Sequence, residues 1–489
     1  MSDMKSLAKD TAIYGLSSII GKFLNYLLVP LYTYVLANEA DYGIVTNLYA
    51  WTALLLVLLT YGMETGFFRF ANRDDYDAKS VYRTAYFTLF ATSAFFAGMV
   101  ILFQQSIADM LGYSDHSEFI VMMAVTVAVD AFACIPFAYL RQQKRPWVFA
   151  GLKLLFVVLN IAFNVFFLLI LGKTDVYYVF LSNILATGIQ TLCLLPVCLP
   201  KGGHYSWKVL GTMLRYSLPL LVLGVAGIMN QTLDRILFPY LYNGEDMQTQ
   251  LGIYGACFKV AMVMMMFTQA FRYAYEPFVF AKHRDKNSVE AYADGMKYYV
   301  IFSYLILLGV IFYLDIFKFI ISKSYWDGLQ IVPIVLWTYV FQGIYFNLSF
   351  WYKLTDQTKW GAYFSLIGLA ITLLIQVIGV PLWGYWASCG SSLVCYLIIM
   401  LLSYFIGQKK APIPYDLKRM GLYTLLTVML IAVYYVCREV LHLHMGQLMA
   451  LGTVLLIVYM GVLIKLDFPI KNYLYVLRNR RNNGSGRKD

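Results

Sequence analysis

The sequence predicts an all-α polytopic membrane protein of about fourteen transmembrane helices, grouped as two six-helix lobes plus two C-terminal helices. Three observations carry that expectation. The chain of 489 residues is 60% hydrophobic and only 13% charged, well below the charge content of roughly a quarter that soluble domains carry. Apolar stretches of about 20 residues, the length that crosses a bilayer as helix, recur along almost its whole course. Runs such as Leu54-Leu55-Leu56-Val57-Leu58-Leu59 do not alternate, as the strands of a membrane barrel would.

In order, the expected spans are 11–36, 44–68, 81–107, 119–140, 147–171, 176–199, 212–241, 252–280, 297–321, 329–352, 360–380, 382–407, 419–440 and 446–465. With a cytoplasmic N-terminus, only Lys173, Lys318, Lys323 and Arg438 fall in outer loops and Lys22, Arg235 and Lys259 within spans, so 31 of the 38 Lys and Arg gather on the inner side. That asymmetry orients the chain with both termini inside. The net charge of +11 is then mostly a topology signal. Arg141, Lys144, Arg145, Lys409 and Lys410 are expected to face anionic headgroups rather than nucleic acid. The first twenty residues are not expected to be a removable signal, because Lys5, Lys9 and Asp10 lead into a span without a small-residue cleavage site. Residues 471–489 read as a basic tail at the inner surface.

Two halves of the chain repeat in order and spacing. Pro30-Leu31-Tyr32 precedes Gly43-Ile44 as Pro239-Tyr240-Leu241 precedes Gly252-Ile253, at an offset of 209 residues; Phe68, Phe70 and Ala71 match Phe278, Phe280 and Ala281 at an offset of 210. Each copy holds an even number of spans, so the copies share one orientation and the substrate path is expected between them. The implied domains are 1–200, 201–408 and 409–489, the basic link from Lys201 to Lys208 marking the first boundary.

Five charges lie stranded in apolar segments: Lys22, Asp130, Asp234, Arg235 and Lys259. An ionised group at the bilayer centre costs roughly 2.5 to 3.5 kcal/mol on insertion scales, so each needs a wet cavity, a partner or a substrate. Three are cationic, which suggests a cavity built for an anion. Asn230, Gln231, Asp234 and Arg235 form one polar helical face, as do Ser18, Lys22 and Asn25 on the first span. Asp234 either neutralises Arg235 or Lys259 or joins the cavity lining; one carboxylate does not saturate two cations. Lys22 either pairs with Asp130 or meets substrate phosphate as a point charge. A further stripe runs from Lys259 through Met262, Met266 and Gln269 to Tyr273. Toward the inner face, Glu64 with Arg69 and Arg272 with Glu276 hold similar places in the two repeats, as gating or ion-coupling pairs or as helix caps.

Catalytic signatures are missing. The sequence has no Walker-type loop, no HExxH and no large polar domain, and His442-x-His444 is an isolated pair. Neither an enzyme nor a metal or cofactor is expected. The seven cysteines sit at or within spans without a disulfide framework.

The stretch Tyr216-Ser217-Leu218-Pro219, Asn230 through Arg235, and Gly252-Ile253-Tyr254-Gly255 with Lys259 resembles the central signature of the polysaccharide-type (Wzx-like) lipid-linked oligosaccharide flippases. These belong to the multidrug/oligosaccharidyl-lipid/polysaccharide (MOP) exporter superfamily. Asp41-Tyr42-Gly43-Ile44, Gly62-Met63-Glu64-Thr65 and Phe68-Arg69-Phe70 look like the same family's first two helices. The resemblance implies a MATE-like, two-lobed transporter in a bacterial inner membrane. It would carry undecaprenyl-diphosphate-linked oligosaccharide to the outer leaflet for capsule, O-antigen or exopolysaccharide assembly, as a monomer and in company with membrane lipids and a polysaccharide polymerase. Lys22, Arg235 and Lys259 match the cations that would face the diphosphate, with Ser18, Asn25, Asn230, Gln231, Asp234 and Gln269 as polar lining. A peptidoglycan lipid II flippase and a cation-coupled multidrug exporter are the alternatives, the latter resting on Asp130. A membrane glycosyltransferase would need a catalytic carboxylate cluster, which the sequence lacks.

Overall fold

The computed structural model describes residue 15, residues 20, 21, 23 and 24, and the segments 26–282 and 288–467. Among these residues every regular element is a helix. The elements are α1 (Leu28–Val35), α2 (Glu39–Thr60), α3 (Met63–Ala71), α4 (Ala78–Leu102), α5 (Gln104–Leu111), α6 (Ser117–Gln142), α7 (Pro146–Asn164), α8 (Val176–Cys198), α9 (Trp207–Leu241), α10 (Met247–Val260), α11 (Met262–Lys282), α12 (Ser288–Phe312), α13 (Leu314–Phe317), α14 (Val332–Leu348), α15 (Phe350–Leu354), α16 (Lys359–Trp383), α17 (Tyr385–Lys410), α18 (Leu417–Leu441) and α19 (Met445–Leu466). Twelve helical stretches are long and apolar enough to cross a membrane, and α10 with α11 makes a thirteenth as a bent pair. Ten of the 26 residues of the expected first span, Lys22 among them, and the basic tail lie outside the described residues.

Local sequence sets the helix starts. Asn38, Asp77, Asp175, Ser206 and Asp416 each accept a hydrogen bond from a backbone N–H in the first turn that follows, which satisfies donors that would otherwise face lipid or protein unpaired. Two spans expected to be continuous are broken. Tyr61 and Gly62 take left-handed backbone at φ 32° and 70° and separate α2 from α3. The eighth expected span bends by 48° between α10 and α11. That break leaves Lys259 in the last turn of α10, where the helix's unsatisfied carbonyls favour a cation.

The described residues divide into two compact units, residues 1–285 with 320–412, and residues 286–319 with 413–489. In the first unit, the repeated glycines pack on one another. A Cβ on Gly43 would fall on the carbonyl oxygen of Gln248, and one on Gly252 on the carbonyl oxygen of Glu39. The two contacts are each other's counterparts at the 209-residue offset, and Gly255 meets Thr46 in the same register. The halves of this unit thus meet through a reciprocal α2–α10 contact that only glycine permits at this spacing. A second contact sits near the far end of α2, where the Ser217 hydroxyl on α9 donates to the carbonyl of Gly62 over 3.1 Å.

The second unit is built from α12, α18 and α19. Gly452 lets α19 close on Phe312, while Tyr434 donates to the carbonyl of Phe312 and Tyr459 to that of Ile301, each over 3.1 Å. At one end the Asp467 carboxylate is buried, accepts from Tyr423 and Arg419, and lies 3.5 Å from Lys297. At the other, Asp315 holds Lys318 at 2.8 Å and Arg438 at 4.0 Å.

Candidate functional site

A cavity of about 580 Å³ opens among α9, α10, α11, α14, α15, α16 and α17, within the size range of small-molecule sites. Its lining includes Asn230, Gln231, Arg235, Lys259 and Gln269. Among the described residues, Ala53 on α2 is the only lining residue from the first half.

Arg235 is fixed from both sides. The Asn47 amide on α2 donates 2.7 Å to the Arg235 carbonyl, and the Tyr113 hydroxyl in turn donates 3.0 Å to Asn47. The guanidinium lies over the Phe258 ring at 4.2 Å, a geometry that holds a cation against an aromatic face. Asp234, expected as its counter-ion, is only 3 % exposed but has another partner: the Tyr254 hydroxyl donates to its Oδ2. The nearest approach of Arg235 to Asp234 is 3.9 Å, too long for a hydrogen bond. Arg235 Nε and Nη2 are consequently buried with no hydrogen-bond partner among the described residues. Lys259 has no carboxylate within 4.0 Å among them either.

The polar lining continues around these two cations. The Asn230 amide donates 3.0 Å to the carbonyl of Ser365, leaving its Oδ1 buried without a partner. Gln342 donates 2.8 Å to the Tyr396 hydroxyl. Met262 and Met265 face the cavity, whereas Met264 is fully buried in packing. The cavity also reaches Arg272 and Lys353. Arg272 Nε lies 3.6 Å from Glu276 on the same helix, and Lys353 Nζ lies 3.6 Å from the other oxygen of that carboxylate.

The first half treats its charges differently. Glu64 was expected to pair with Arg69, but its ion pair is with Arg141 of α6. Five residues along a helix place Glu64 and Arg69 about 140° apart, and Arg69 instead lies 4.2 Å over the ring of Tyr216. Cys134 donates 3.1 Å to the second oxygen of Glu64. Asp130 interacts electrostatically with Lys153 of α7, whose ammonium lies 3.9 Å from the Phe137 ring. Asp130, Cys134, Phe137 and Arg141 share one face of α6, being spaced by four, three and four residues. Lys22, Ser18 and Asn25 lie outside the described residues, so the alternative pairing of Lys22 with Asp130 does too.

Comparison with known proteins follows the same lines. The sequence pattern of the family described as "Polysaccharide biosynthesis protein" matches residues 36–326, more than half of the chain. No curated relative matches. Among solved structures, the lipid II flippase MurJ in an inward closed conformation is similar at a TM-score of 0.74 and 12% identity, covering 92% of this chain and 98% of that one. An inward-facing multidrug resistance MATE transporter of the MOP superfamily is similar at 0.63 and 10%, covering 82% and 94%. A MOP superfamily transporter from Pyrococcus furiosus, described as having a binding pocket of reverse polarity, is similar at 0.55 and 14%, covering 82% and 95%. At these identities the likeness is one of fold.

Proposed function

Since this chain belongs to the polysaccharide biosynthesis protein family and has the MOP transporter fold, we propose that it flips undecaprenyl-diphosphate-linked oligosaccharide across a bacterial inner membrane by alternating access. The observation that carries this reading is the half-buried pair Arg235 and Lys259, lining a cavity of about 580 Å³ with two guanidinium nitrogens that have no hydrogen-bond partner among the described residues. Two cations in a membrane interior that share one carboxylate and keep unsatisfied donors are expensive, and a diphosphate would supply both further negative charge and the missing acceptors. Lys22 is the third cation of the proposal. Asn230, Gln231 and Gln269 offer amide donors and acceptors to sugar hydroxyls.

The excess of basic residues on one side orients the protein with both termini in the cytoplasm. In that orientation Arg235 and Lys259 lie in the outer half of the bilayer, and Arg272 with Lys353 toward the cytoplasmic end. An inside-negative potential favours outward passage of an anion by about 2.3 kcal/mol per charge per 100 mV. Lipid II carries the same diphosphate and meets the same cations, but the family match favours a substrate of polysaccharide assembly, delivered to a polymerase at the outer face. The test is removal of charge: Arg235→Gln, Lys259→Gln and Lys22→Gln, scored by the amount of labelled sugar-lipid reaching the outer leaflet at wild-type protein levels. Loss of export in these variants is the expected result. Normal export in all three would refute the proposal.

A further inference from the structure

We propose that Arg272, Lys353 and Glu276 form a second anion site at the other end of the same cavity. It receives a diphosphate before Arg235 and Lys259 do, and Glu276 is the internal anion that the ligand displaces. The inference rests on the reading of Arg235 and Lys259 as the deeper diphosphate site, and goes beyond it.

Several observations converge on this end of the cavity. Both cations line the cavity, and both face one ring, Arg272 at 4.7 Å and Lys353 at 4.9 Å from the centroid of Phe346. One carboxylate serves the two: Glu276 stands 3.6 Å from each, beyond hydrogen-bond range. Among the described residues, two cations held loosely against a single carboxylate leave a surplus positive charge, which a diphosphate satisfies with more oxygens than Glu276 can offer. Access differs between the two pairs. The Arg272 side chain is 54% exposed, whereas that of Arg235 is 17% exposed. An ion reaching the cavity from solvent or from a headgroup layer therefore meets Arg272 first. Thirteen residues of α10 and α11 separate Arg272 from Lys259, roughly 20 Å along the helix. That is too far for one diphosphate to touch both pairs, so these are successive stations.

A structural staple and a displaceable counter-ion predict opposite signs for one substitution, which makes the idea testable. Binding of farnesyl diphosphate and of inorganic pyrophosphate would be measured on the full chain in neutral phosphatidylcholine nanodiscs, in an Arg235→Gln/Lys259→Gln background that silences the deeper pair. Residual binding of both probes is expected, farnesyl diphosphate being held more tightly by its tail. Adding Glu276→Gln should tighten it several-fold, while adding Arg272→Gln or Lys353→Gln should weaken it about tenfold, the scale of one charge-assisted contact. No residual binding, an unchanged or weakened affinity in Glu276→Gln, or exclusion of farnesyl diphosphate with pyrophosphate still bound would each overturn the proposal. The deeper site is judged separately, by whether wild type binds more tightly than the background variant. Equal affinity there would sink the earlier reading and leave the Glu276 result to stand or fall alone.

Discussion

Interior charge is handled in opposite ways by the two halves of the larger unit. Among the described residues of the first half, Glu64 holds Arg141, and Asp130 interacts electrostatically with Lys153. In the second half Arg235, Lys259, Arg272 and Lys353 reach one cavity, against two carboxylates. One of these, Asp234, is occupied by Tyr254. Both halves are helical bundles joined through reciprocal glycine contacts, so the fold alone does not account for the difference. A chain keeps unsatisfied cations in a low-dielectric interior only where something from outside completes them. Among the described residues, Glu64 and Asp130 of the first half each answer one cation, whereas the second half sets four cations against two carboxylates.

The comparison presupposes that the halves are equivalent, and the largest expected effect tests that premise. Gly43→Val and Gly252→Val each put side-chain atoms where a partner helix's carbonyl oxygen now lies. Each should cost about 3 kcal/mol of stability, since neither backbone can yield without parting α2 from α10. Reversible unfolding in mixed detergent would measure both. Similar losses are expected from the two sites, and a loss at one alone would break the symmetry argument.

Next in size is an attempt to make the second half resemble the first. Gln269→Glu places a carboxylate in the lining of the cavity, where it would compensate Arg235 and Lys259 from within. Diphosphate affinity should fall by about fiftyfold, the consequence of a like charge several ångströms from the ligand at an intermediate dielectric. Gln269→Leu is the control and should leave affinity within a few-fold. Equal affinities for Gln269→Glu and wild type would show that charge imbalance is not what the cavity offers.

The converse experiment opens the first half. Lys153→Met leaves Asp130 without its cation and should cost about 2 kcal/mol, below the 3 to 5 kcal/mol of a tight buried pair, because the ammonium rests on Phe137 rather than within 4.0 Å of the carboxylate. Removing both charges in Asp130→Leu/Lys153→Met should restore most of that loss. Arg235→Met is expected to need no such rescue, and a rescue requirement there would erase the contrast between the halves.

What was legible in advance follows from how each residue carries its signal. A 209-residue offset in a few motif positions singled out Gly43 and Gly252 as counterparts, but that they pack against each other's helices was visible only in the structure. Arg235 and Lys259 stood out as charges within apolar runs. Lys153 and Lys353 did not, since each lies close enough to a span end to pass for a headgroup-facing lysine. Arg141 was assigned to the lipid surface for the same reason, and so the ion pair of Glu64 was misplaced. The roles of Asn47 and Tyr254 were beyond reach: an amide that meets a distant carbonyl, and one tyrosine among 41 that holds a carboxylate, are tertiary facts without a local pattern.

Tyr254 carries the smallest and sharpest prediction, because it decides whether the second half stays unbalanced. Its hydroxyl donates to Asp234 Oδ2, whose other oxygen is buried without a partner, while Arg235 waits 3.9 Å away. Tyr254→Phe removes that donor and leaves the carboxylate with the guanidinium as its nearest recourse. A closer approach would turn that ion pair into a hydrogen-bonded one and withdraw guanidinium donors from the cavity, so diphosphate binding should weaken about tenfold, the worth of one charge-assisted hydrogen bond. Asp234→Asn predicts the opposite sign: the competing charge is gone, and affinity should hold or rise. Combining the two should return the Asp234→Asn value, since the tyrosine acts only through the carboxylate. A double variant as weak as Tyr254→Phe alone would mean that the ring, rather than its hydroxyl, shapes the site.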